Sequence, residues 1–158
     1  MPRRYTIALV GNPNSGKSSL FNSLTGLNQK VGNFPGVTVD KKTGISRISD
    51  ELTADIIDLP GTYSLYPKSN DEKVACEVLL NPHDSSYPDL IVVIADASNL
   101  KRNLLFCSQI MDLGLPVIIA LSMNDIAAQK GISIDIPGLE RLMGVPVVTI
   151  NPRRNKGI

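Results

Sequence analysis

The stretch Gly11-Asn12-Pro13-Asn14-Ser15-Gly16-Lys17-Ser18 constrains the fold of this chain more than any other. It satisfies the pattern Gly-x4-Gly-Lys-Ser/Thr and lies between an apolar run, residues 5–10 (YTIALV), and a helical pattern, residues 19–27. Strand, glycine loop and helix in that order bring successive backbone N–H groups and a helix N-terminus to one point, which is how a chain wraps phosphates. Lys17 then supplies an ammonium to the outer phosphate oxygens, Ser18 a hydroxyl to Mg²⁺, and Ser19 extends the cradle into the helix. At ordinary glycine and lysine frequencies the pattern arises by chance in roughly one chain in two hundred of this length. An accidental Gly-rich turn is therefore a weak competitor, and the loop predicts a nucleoside triphosphate as ligand.

The rest of the chain supplies the scaffold that such a loop requires. Residues 90–95 (LIVVIA) and 116–121 (PVIIAL) are continuous apolar, β-branched runs, the mark of strands covered on both faces. Residues 44–49 and 53–58 read as two further strands turned through Asp50-Glu51, a hairpin that makes one edge strand antiparallel, and residues 146–150 as the last strand. Helical spacing covers residues 71–80, 100–113 and 137–143, the last two stopped by Gly114 and Gly144. Alternating strand and helix predict an open, doubly wound, mostly parallel α/β sheet of about six strands, a P-loop domain of the Ras-like G type. Residues 28–43 hold no sustained period and read as a long functional loop.

With 158 residues, 42% of them hydrophobic, the chain suffices for one core, and residues 1–158 are read as a single domain. A formal net charge of +1 creates no basic field, so composition names no nucleic-acid partner. Cys76 and Cys107 stand singly in helical patterns and read as buried, reduced thiols in a cytosolic setting. His83 reads as a solvated loop residue, so any metal chemistry falls to oxygen ligands. No run approaches the roughly 18 apolar residues of a membrane span, and the end at residues 151–158 suggests a domain cut from a longer protein.

Three further elements complete a nucleotide site. Asp58-Leu59-Pro60-Gly61 follows a strand: the carboxylate can hold Mg²⁺ through water, and the Gly61 N–H can point at a γ-phosphate because no Cβ blocks approach. Thr38, at the end of Asn33-Phe34-Pro35-Gly36-Val37, offers a hydroxyl to Mg²⁺ and an N–H to the γ-phosphate. A loop held by such contacts is released when that phosphate leaves, making the loop that carries Thr38 a first switch and residues 61–70 a second. The base reader is expected at Ser122-Met123-Asn124-Asp125, where guanine-binding proteins carry Asn-Lys-x-Asp. Asp125 is positioned to accept from guanine N1–H and N2–H₂, while Ser122 replaces a carboxamide by a shorter hydroxyl. Asn151-Pro152-Arg153 stands where a backbone N–H normally meets guanine O6, and Pro152 has none to give.

Three blocks, Gly11 to Asn22, Val31 to Val39 and above all Asp58-Leu59-Pro60-Gly61-Thr62-Tyr63-Ser64-Leu65 followed by Asp71-Glu72-Lys73-Val74-Ala75, resemble the G domain of the FeoB-type ferrous iron transporters, and the likeness runs through essentially the whole chain. Ser122 and Asn151-Pro152 depart from that pattern. The resemblance implies an N-terminal GTPase domain on the cytoplasmic face of a bacterial inner membrane, soluble as a fragment, that continues into helical and membrane-spanning regions carrying Fe²⁺. It implies GTP and GDP as ligands with Mg²⁺ on Ser18, Thr38 and Asp58. It also implies K⁺ held by Asn14 and switch I carbonyls in place of an arginine finger. The candidate catalytic groups are then Lys17, Asn14, Thr38 and Gly61.

Other settings share parts of the pattern. A ribosome-assembly GTPase shares the phosphate loop but carries a basic appendage absent here. A nucleotide-gated switch needs no useful catalysis, and altered base loops can admit ATP. Oligomeric state has no signal in the sequence.

Overall fold

In the computed structural model, which describes residues 3–152 and Gly157, one seven-stranded sheet organises the chain. The elements in order are β1 (Arg3–Gly11), α1 (Lys17–Thr25), β2 (Gln29–Asn33), β3 (Asp40–Arg47), β4 (Leu52–Asp58), α2 (Asn70–Leu80) and β5 (Leu90–Asp96). A 3₁₀ turn, Ala97–Asn99, leads into α3 (Leu100–Met111), followed by β6 (Val117–Ser122), α4 (Asn124–Gln129), α5 (Ile136–Met143) and β7 (Val147–Thr149). The strand order is β2-β3-β4-β1-β5-β6-β7. Strands β4, β1, β5, β6 and β7 pair in parallel, whereas β3 is antiparallel to both of its neighbours.

The expectation of about six strands with one antiparallel edge falls short by β2. This strand lies inside the segment read as loop, and it displaces the reversed strand β3 from the edge. Every residue of β2 is exposed, so no hydrophobic alternation marks it. Its conformation comes from pairing Gln29 with Gly44 through to Asn33 with Asp40. The six-residue α4 also escaped the sequence reading, being too short for a period.

Alternation along β1 builds both faces of the sheet. Ala8 and Val10 enter a core with Val74, Ala75, Val78 and Leu79 of α2, Phe106, Cys107 and Ile110 of α3, and Leu139 of α5. Leu9 points the other way, into a core with Leu20 and Phe21 of α1, Ile56, Ile94 and Ala120. Helices on both faces leave the carboxyl ends of the parallel strands free to carry loops, which is where ligands bind in open α/β sheets. Both cysteines are buried and free, and burial pushes the Cys107 thiol up to about 11.

The contact between α1 and β3 is tight enough to exclude a side chain. A Cβ on Gly44 would lie 2.6 Å from Thr25 Cβ and 2.9 Å from Asn28 O. Thr25 cannot easily yield, because its Oγ1 donates to Phe21 O at 2.8 Å and it is buried. Gly44→Val is therefore expected to cost about 1–3 kcal/mol by overpacking. At roughly 2–4 °C per kcal/mol for a domain of this size, thermal melts should show the shift, and an unchanged midpoint would disprove this packing.

Candidate functional site

The phosphate loop connects β1 to α1 through two left-handed residues, Asn14 at φ 64° and Gly16 at φ 96°. Ser15 N donates to Asn12 O at 3.2 Å, closing the loop into a compact turn. Gly16 is the N-cap of α1, and no side chain caps the helix, so its N-terminal amides face the loop without an internal competitor. Among the described residues, two buried side-chain atoms have no hydrogen-bond partner, Asn12 Oδ1 and Ser15 Oγ, and both belong to this loop. Buried polar groups are normally paired. Their concentration here fits a loop shaped to receive a polar ligand.

Two cavities open along this loop. One, of about 610 Å³, is lined by Asn12, Pro13, Asn14, Gly16, Lys17, Ser18, Ser19, Pro60, Gly61, Asp71 and Met123. A smaller one beside it, about 320 Å³, gathers Lys17, Ser18, Thr38, Asp58 and Asp71 with Asp40 and Lys42. The tertiary fold thus brings Thr38, which follows the edge strand, to the residues of the phosphate loop and the end of β4. Lys17 Nζ donates to Asp58 Oδ1, with both side chains largely buried. The hydroxyls of Ser18 and Thr38 and the Asp58 carboxylate are hard oxygen donors. This partial set suits Mg²⁺ that shares its shell with substrate phosphates and water. Asn14, exposed at the cavity rim with its carboxamide, is likewise an oxygen donor suited to K⁺.

The candidate first switch is held at its ends, with one turn bond inside it, Val37 N donating to Phe34 O at 3.3 Å. Phe34 and Val39 are buried in the core, Phe34 N donates to Val39 O at 3.0 Å, and Gly36 turns the chain at φ 76°. Pro35, Gly36, Val37 and Thr38 are exposed between those anchors. Gly36 and Val37 form the turn without lining either phosphate cavity. In the second switch, a Cβ on Gly61 would lie 3.0 Å from Pro13 Cα, so any larger residue would push this backbone a few tenths of an ångström away from the phosphate loop. Thr62, next in sequence, is fully buried, and its Oγ1 is shared between Ser64 O at 2.8 Å and Glu72 Oε2 at 3.2 Å. It does not face the cavity. Tyr63 is stacked under Arg102 of α3 at 4.4 Å, and Leu65 N donates to Gln109 Oε1 at 2.8 Å.

A third cavity, about 440 Å³, is lined by Gly16, Ser19, Ser122, Met123, Asn124, Asp125, Ile126, Thr149, Ile150, Asn151 and Pro152. Asp125 is exposed in the first turn of α4, with Ile126 N donating to its Oδ1 at 2.9 Å. Ser122 reaches this cavity, but its hydroxyl turns to Ser15 O at 2.5 Å. Arg153 lies outside the described residues. Gly16, Ser19 and Met123 border both this cavity and the larger phosphate cavity, so the two form one continuous trough. Sequence reasoning missed two of its residues. Asp71 stands in the sequence as the first residue of a helical pattern and of a block shared with the family, with no site role, although it lines both phosphate cavities. Asn124 was read as a spacer, although its Nδ2 donates to Leu121 O at 2.9 Å and Ile150 O at 3.5 Å; an amide inside a base-reading motif was the available signal.

A mostly parallel sheet wound on both faces, with a phosphate loop after its first strand and a likeness to solved G domains, defines a P-loop domain of the Ras-like G class. The family described as ferrous iron transport protein B matches residues 5–158, and the chain belongs to that family. It is 46% identical over 160 residues to the Fe(2+) transporter FeoB of Salmonella typhimurium and equally so to that of Escherichia coli K12, covering 99% of this chain and 20% of each relative. The chain thus spans about a fifth of the length of the curated relatives it matches. Among solved structures, the G domain of the T. maritima FeoB iron transporter superposes with a TM-score of 0.88 at 40% identity, over 98% of this chain and 92% of that one. The cytosolic domain of L. pneumophila FeoB gives 0.89 at 47% identity, over 96% and 63%. A variant of S. thermophilus NFeoB bound to GDP gives 0.87 at 45%, over 97% and 58%.

Proposed function

We propose that this chain is one G domain, the N-terminal part of a bacterial Fe²⁺ transporter at the cytoplasmic face of the inner membrane, and that it binds GTP and GDP and hydrolyses GTP slowly. The observation that carries the reading is the continuous trough with Asp125 at one end and Lys17, Thr38 and Asp58 at the other. It matches the shape and polarity of a nucleotide laid from base to γ-phosphate, and the GDP-bound S. thermophilus relative supports guanine. Lys17 and the α1 amides neutralise phosphate charge, and the Gly61 and Thr38 amides sense the terminal phosphate. Ser18, Thr38 and Asp58 would hold Mg²⁺, and Asn14 would hold K⁺. Bound there, these cations supply charge stabilisation for phosphoryl transfer.

The placement of Thr62 sets the expected rate. The residue after Asp-x-x-Gly orients the attacking water in Ras when it is glutamine, but here its side chain is buried and bonded to the second switch. Hydrolysis on the order of 10⁻³ to 10⁻² s⁻¹ is expected without help. The same observation favours, as a second reading, a nucleotide-state switch in which exchange outruns hydrolysis.

Calorimetric titration with GDP and ADP tests the nucleotide: tighter ADP binding would overturn the GTPase assignment. Phosphate release measured in K⁺ and in Na⁺ tests the cation. We expect K⁺ to accelerate hydrolysis about 10- to 100-fold, below the 10³–10⁵ of an arginine finger, and Asn14→Ala to abolish that response. Equal rates in the two salts would eliminate the role of Asn14.

A further inference from the structure

Ser122 occupies the position at which a guanine reader is expected, yet its geometry points elsewhere. The residue is 2% exposed, and its Oγ lies 2.5 Å from Ser15 O and 3.3 Å from Ala95 O. A hydroxyl carries one proton, and the shorter contact claims it. The recipient carbonyl belongs to the phosphate loop itself. In a trans peptide the C=O and the following N–H point in opposite directions. Drawing Ser15 O toward the end of β6 therefore turns the Gly16 N–H away from β6.

That amide needs fixing. Gly16 holds φ 96°, and glycine, lacking a Cβ, passes readily to other conformations. The Cβ position of Gly16 is 3.7 Å from Ser122 Cβ, so the hydroxyl and the peptide it holds are immediate neighbours. Ser122 is also relieved of the other task at this end of the sheet. The carboxamide of Asn124 spans the ends of β6 and β7, with Nδ2 reaching Leu121 O and Ile150 O, and so ties down the loop that carries Asn151 and Pro152.

We propose that Ser122 is a positioning residue for the phosphate-binding Gly16 amide and reads no part of the base. This rests on the proposal that the trough binds a nucleoside diphosphate. Its signature is an effect that ignores the base and depends on the β-phosphate.

The experiment titrates wild type, Ser122→Ala and Ser122→Thr with GDP, IDP and GMP. IDP lacks the guanine 2-amino group, whereas GMP lacks the β-phosphate. Ser122→Ala should weaken GDP and IDP by the same factor, about 5- to 30-fold for one buried hydrogen bond. GMP should change by less than a third of that factor, and Ser122→Thr, which keeps the hydroxyl, should restore binding. A changed GDP-to-IDP ratio, equal losses for GDP and GMP, or unchanged affinity for all three would overturn the proposal. Should Ser122→Ala fold poorly, Ser122→Cys, with a weak donor of similar size, is read by the same ratios. Absence of GDP binding to wild type would instead overturn the nucleotide reading on which the proposal stands.

Discussion

Replacing Asp125 by Asn is expected to move the base preference of this domain from guanine to xanthine. A carboxylate only accepts hydrogen bonds, and guanine presents N1–H and N2–H₂ as adjacent donors. Asp125 stands exposed at the base end of the trough, on the first turn of α4, with one oxygen engaged by Ile126 N. In Asp125→Asn the amide group places a donor against the 2-amino donor of guanine, and it meets the 2-oxo acceptor of xanthine instead. Sites built around such contacts reject a mismatched partner strongly. GDP affinity should fall on the order of 10³-fold while XDP binding appears. With Ser122 turned to the phosphate loop, the carboxylate carries more of the selection than a two-residue reader would give it. Competition of GDP and XDP against a fluorescent nucleotide measures the exchange, and a variant that keeps its GDP affinity would show that Asp125 does not face the base.

Lys17→Met is expected to reduce kcat/KM for GTP on the order of 10²–10³-fold, the usual consequence of removing one preorganised charge from a phosphate site. The structure adds a second consequence. Lys17 and Asp58 form an ion pair with side-chain exposures of 11% and 5%, so removing the cation strands a largely buried carboxylate. The nucleotide-free variant should lose about 1–3 kcal/mol of stability, visible as a lower melting temperature. The double variant Lys17→Met/Asp58→Asn removes both charges and should recover most of that stability without recovering activity. If the double variant is as unstable as the single one, the pair is not what holds the empty site together. If Lys17→Met keeps its activity, the ammonium is not at the phosphates.

What could be read in advance follows from which signals are local. The β1–loop–α1 unit was legible because its glycines, Lys17 and Ser18 act within a few residues of one another. Strands β5 and β6 were legible because burial on both faces writes a continuous apolar run. Strand β2 was not, since an exposed edge strand has no hydrophobic obligation and exists by pairing with β3. The residue types of the site were legible as well, but their orientations were not. Ser122 read as a shortened base contact, and only its position at the end of β6, two strands over from β1, turned its hydroxyl to Ser15 O. Asn124 and Asp71 were missed for a related reason: the carbonyls that Asn124 bonds and the cavities that Asp71 lines are built by other elements of the chain.

The sequence by itself determined the class of fold, the phosphate loop and the order of the candidate switch and base segments, because each depends on short-range backbone chemistry or periodic burial. Only the tertiary structure decided that Thr38, Lys17, Ser18 and Asp58 share one cavity, that Thr62 faces away from it, and that the phosphate and base cavities join at Gly16, Ser19 and Met123. Those relations depend on how strands far apart in the chain are ordered in the sheet. A hydroxyl or carboxylate takes its role from the donor or acceptor that the ordering sets beside it.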